Sequence, residues 1–80
     1  MTDRFEHYPE PRLYGPCSPD AVVNELVTIS SLSHVDAKYA HAREDELHQW
    51  VLASIADGTC ERPDVCASRA LESTKIKFTR

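Results

Sequence analysis

His41, Glu44, Asp45 and His48 fall within one eight-residue stretch, HAREDELH. On a helix, residues three, four and seven apart share a face. Each carboxylate lies three or four residues from each histidine, so the four side chains can line one side. Two chemistries suit such a stripe. Imidazoles and carboxylates at these offsets can bind a divalent metal, as Glu-x-x-His pairs from several helices do in bundles. They can equally form a solvated face with Arg43, in weak ion pairs of about 0.3–0.5 kcal/mol each. A metal site would need further ligands from a second helix, and the preceding segment offers only Asp20, Asn24 and Glu25. The stripe therefore reads as a polar binding or fastening surface, with no metal and no cofactor. Its centre is expected to be a His41–Asp45 pair one turn apart, on the border between core and solvent. Leu47 then points inward and Glu46 points into water.

Cys17, Cys60 and Cys66 are the other groups with chemical reach. Five residues separate Cys60 from Cys66, where a zinc knuckle usually has two to four. A zinc site would have to recruit Cys17 and a histidine. An odd number of cysteines in a reducing compartment reads as free thiols, and Cys66 as a small core residue. No cysteine has a histidine beside it in sequence to suggest a thiol nucleophile. The chain has no glycine-rich phosphate loop and no serine nucleophile elbow.

The elements that would position these residues are helical. In SPDAVVNELVTISSLS, Ser18 can cap, Pro19 suits the first helical position, and Asp20 complements the amino-terminal dipole. Apolar residues then recur at helical spacing to about Leu32. A long second helix follows, capped by Ser33 or Asp36 and stopped at Gly58. Its apolar stripe runs through Ala40, Leu47 and Val51 with the neighbouring Trp50, Ser54 and Ile55. Leu26, Leu47, Trp50, Val51 and Ile55 are the expected core. Pro63 and Asp64 open a shorter third helix. KIKFTR alternates, as a short strand or extended tail would. Pro9, Pro11 and Pro16 prevent a regular helix over residues 1–17. The expectation is all-α: an antiparallel helical hairpin plus a short third helix (18–80), preceded by an extended arm (1–17) whose aromatics lie on the helices.

Eighty residues make a small core that usually needs a staple or a partner. A hairpin has two apolar faces and one partner helix, so a homodimer is expected to cover the second. Lys and Arg are scattered and the net charge is −4, which argues against nucleic acid. No apolar run approaches the roughly 20 residues of a membrane span, and the amino terminus has no secretory pattern. A cytoplasmic location is expected. The end after Arg80, with no polar tail, suits a trimmed chain.

The segment DAKYAHAREDEL resembles a pattern, D-x-x-x-A-H-x-x-x-D-E-L, found in small helical proteins of bacteriophages and bacteria. Asp36, Ala40, His41, Asp45, Glu46 and Leu47 fall on it, within a segment of twelve of the 80 residues; His48 departs from it, since that position tends to be apolar there. The resemblance implies a small helical protein with no assigned activity, and it singles out His41 and Asp45. The acidic run Glu44–Glu46 also invites comparison with the all-helical nucleotide pyrophosphohydrolases, which hold magnesium with paired acidic motifs. The first helix here lacks the E-E-x-x-E counterpart.

Together these features favour a non-enzymatic protein-interaction module, of the kind a phage uses to modulate a host protein. Its binding residues would be His41, Asp45, His48, Glu44 and Tyr39. Tyr39 is counted with Phe5, Tyr8 and Tyr14 as an exposed aromatic suited to protein contact. The alternative is a small metal-dependent hydrolase with a His/carboxylate site assembled across a dimer.

Overall fold

The computed structural model describes residues 12–78, all outside regular strand and built on three helices. Helix α1 spans Pro19–Leu32, α2 Ala37–Asp57 and α3 Pro63–Leu71, and a 3₁₀ turn, Glu72–Lys75, extends α3. Each helix packs on the other two. The expected all-α hairpin with a short third helix is what forms. No strand occurs among the described residues; 76–78 are irregular rather than paired. Phe5 and Tyr8 lie outside the described residues.

Local chemistry accounts for the boundaries. Ser18 caps α1, its hydroxyl accepting from the Ala21 amide at 3.3 Å, with Pro19 at the first helical position. Asp36, not Ser33, caps α2, accepting from the Tyr39 amide at 3.1 Å. Ser33 instead closes α1, its hydroxyl donating to the Ser30 carbonyl at 2.7 Å. Gly58 ends α2 with φ 75°, a conformation that costs a Cβ-bearing residue steric strain. Asp36→Ala should therefore cost about 1 kcal/mol, read from urea unfolding followed by circular dichroism. A change indistinguishable from zero would mean that the α2 amino terminus finds another acceptor.

The core is built from Val22 and Ile29 of α1, Ala40, Leu47 and Val51 of α2, Cys66 and Ala70 of α3, and Cys17 just before α1. Leu47 and Val51 sit where the sequence pattern puts them. Leu26 and Trp50 pack on the core from its edge. Ile55 does not belong to it, being 36% exposed. One residue turns a helix by 100°, and Ser54 takes the inward register after Leu47 and Val51. Trp50 stays at the edge because its indole N–H donates to the Gly15 carbonyl at 3.0 Å. Tyr14 also departs from expectation: it points to solvent instead of lying on the helices, and Leu13 packs there in its place. No helix among the described residues is long and apolar enough to cross a membrane.

Candidate functional site

The histidine–carboxylate stripe on α2 divides into parts with different neighbours. Glu44 and His48 turn toward the end of α3. His48 Nε2 lies 2.8 Å from the Ser73 hydroxyl and 3.2 Å from the Ala70 carbonyl. The Ser73 hydroxyl, fully buried, donates to Glu44 Oε2 at 2.9 Å. That bond uses the only serine proton, and a carbonyl can only accept. Nε2 must therefore carry the imidazole proton and donate it. Ala70 lies in the last turn of α3, where its carbonyl, already approached by the Glu72 amide, accepts a second bond from the imidazole. His48 thus caps α3 from the side, while Glu44 anchors the 3₁₀ turn.

His41 lies further toward solvent. Its ring stacks on Phe78 with centroids 3.9 Å apart, and its Nδ1 approaches Glu44 Oε1 at 3.4 Å. The expected His41–Asp45 pair is not formed. Asp45 is exposed and, among the described residues, has no polar partner, because Glu44 sits on the same side as His41 and is itself held by Ser73. An open cleft of about 700 Å³ lies beside His41, between His34, Asp36, Lys38 and Phe78. Glu46 is half-buried, so it is less solvated than expected.

Tyr39 is a correction. It is wholly buried, not exposed. Arg43, one turn on, explains this: its Nη1 donates to the Tyr39 hydroxyl at 2.9 Å, so the polar end of the ring is satisfied inside. The same guanidinium grips Glu25 of α1 with two bonds of 2.7 Å, from Nε and from Nη2. These bonds to Glu25 push the Arg43 pKa further up, against the opposing effect of burial. Glu25 had a readable signal. It lies three residues after Val22 and four before Ile29, in the register of the buried face of α1.

The cysteines come together, which neither their spacing nor their separation in sequence announces. The sulfurs of Cys17, Cys60 and Cys66 all lie within 4.8 Å of one another, and among the described residues no other trio of histidine, cysteine or carboxylate ligand atoms converges so closely. Cys17 and Cys66 have no exposed surface, and Cys60 is half-buried. All three are free thiols. Burial, then the neighbouring thiols, push the Cys17 thiol far up from its ordinary value; burial is also the main cause of the rise at Cys66. Each cysteine sits at a helix end: Cys17 beside the α1 cap, Cys60 just past α2, and Cys66 in the first turn of α3. The juxtaposition is a tertiary result of helix packing, so its only trace in the sequence is that Cys17 and Cys66 both lie at helix starts. Comparison of the chain with protein-family models, with curated proteins and with solved structures gives no match.

Proposed function

We propose that this protein is a non-enzymatic interaction module that assembles through the outer face of α1, with a second copy of the chain as its first partner. The observation that carries the reading is an apolar groove of about 300 Å³ between α1 and the end of the chain. Val23, Leu26, Val27 and Ser30 form one wall, and Ile76 lies opposite. Val23 is 40% and Val27 61% exposed. Exposed apolar surface gathered in one place favours association, whereas isolated apolar residues are ordinary.

Two further features favour a second copy. Packing of α3 on both α1 and α2 still leaves Val23 and Val27 of α1 exposed. The groove's rim carries one cation and one anion, Arg69 and Glu72, bonded to each other at 3.2 Å. A surface with balanced rim charges can meet its own copy across a two-fold axis without like-charge repulsion. A phage-type modulator acting on a host protein would be a specialisation of the same reading, resting on the resemblance of the DAKYAHAREDEL segment. A cytoplasmic setting belongs to it too, supported by the three free thiols. Glu44 and His48 already serve Ser73 and Ala70, which counts against their use in a hydrolytic site.

Light scattering at tens of micromolar should give twice the chain mass of 9.0 kDa. Val27→Asp should return it to the monomer with unchanged helix content, because the carboxylate would lose its water in the interface. A parent chain that is monomeric at that concentration would refute the reading.

A further inference from the structure

We propose that Cys17, Cys60 and Cys66 form a three-thiolate site for a zinc-class metal ion, with its fourth position open on the Cys60 side. Three observations support it. The first is convergence: three sulfurs from three separate chain segments lie within 4.8 Å of one another. In a tetrahedral zinc site with Zn–S bonds of about 2.3 Å, neighbouring sulfurs sit about 3.8 Å apart. A contraction of about 1 Å or less would bring the trio into that geometry.

The second observation is a fixed backbone. The Cys60 amide donates to the Ser54 carbonyl at 3.2 Å, and the Glu61 amide donates to the Cys17 carbonyl at 3.4 Å. The Cys66 amide donates to the Arg62 carbonyl at 2.8 Å. The loop carrying Cys60 is thereby folded back on both α2 and the residue that supplies another thiol. The third is the electrostatic setting. Cys17 adjoins the amino terminus of α1, and Cys66 lies in the first turn of α3. Two helix amino termini favour the negative charge of a three-thiolate zinc centre.

Without a cation, burial and the neighbouring thiols favour the protonated form of Cys17 and Cys66. Zinc binding replaces three S–H bonds by three Zn–S bonds and releases three protons; no sulfur changes oxidation state. Half-exposed Cys60 leaves that side accessible to water or to a donor from another molecule as the fourth ligand. The described histidines do not join the sulfur cluster.

The test uses the full chain, reduced and kept free of oxygen, titrated with cobalt(II) and then with zinc(II). One cobalt per chain should bind, with strong sulfur-to-cobalt charge-transfer absorption and the visible bands of tetrahedral cobalt. Zinc should displace it, and about three protons should be released in weakly buffered solution. Cys66→Ser would put a hydroxyl in the core, so Cys60→Ser at the half-buried position carries the decision. It should stay helical and bind cobalt about 100-fold more weakly or worse, exceeding what changes to outer-shell groups cause. A missing charge-transfer band, or a helical Cys60→Ser chain that binds cobalt as tightly as the parent, overturns the proposal. Binding of copper(I) with neither cobalt nor zinc overturns the assignment to zinc.

Discussion

Arg43→Leu should destabilise the fold by about 3–5 kcal/mol, the range found when one partner of a buried ion pair is removed. The Glu25 side chain is only 7% exposed and both of its oxygens depend on Arg43. Leucine would leave that carboxylate buried without a counter-charge, and the Tyr39 hydroxyl would lose a donor as well. The 18% exposure of Arg43 lets some water reach the site, which places the loss toward the lower end of the range. The double variant Glu25→Leu/Arg43→Leu should regain most of it, because a buried pair replaced by apolar groups is often neutral or stabilising. Urea unfolding followed by circular dichroism reads both. A single-variant loss below about 1 kcal/mol would mean that the pair behaves as a solvated surface bridge.

Leu47→Ala should cost about 2–5 kcal/mol, the sum of lost apolar transfer and the cavity left behind. Leu47 is fully buried in the middle of α2, among core residues of all three helices. The loss is large for a chain of this length, whose whole stability is of the order of 4–12 kcal/mol. Leu52, at 66% exposed on the same helix, gives the control. Leu52→Ala should change stability by about 0.5 kcal/mol or less. Equal losses at both positions would show that the inward face of α2 is wrongly assigned.

The helix boundaries were legible because they rest on nearest neighbours. Ser18-Pro19-Asp20, Asp36 with the Tyr39 amide, and Gly58 each act within one turn, and each acts as its residue type dictates. Leu47 and Val51 were legible for the same reason, since helical periodicity is local. The partners of the polar side chains were not. His41 meets Glu44 rather than Asp45 because Phe78 and Ser73, more than 25 residues away, decide which rotamers are accommodated. Tyr39 is buried because Arg43 reaches both its hydroxyl and Glu25 of the neighbouring helix. The sulfur trio depends on the crossing of three helix ends, which no spacing within the sequence encodes. Glu25 was the exception: a charge in the register of Val22 and Ile29 marks a buried polar contact before any partner is known.

The seam formed by His48, Ser73 and Glu44 bears on the handedness of the bundle. A third helix can lie on either side of a helical hairpin, giving two mirror-related windings that bury similar apolar area. Apolar patterning alone separates them weakly. Only the winding that brings Ser73 and the Ala70 carbonyl onto the Glu44–His48 side satisfies all of these polar groups at once. In the opposite winding, Ser73 could not span the hairpin to reach them, and the end of α3 would lose its imidazole donor. The seam therefore works as a chirality selector, adding to the observed winding polar bonds that the opposite one would leave to water.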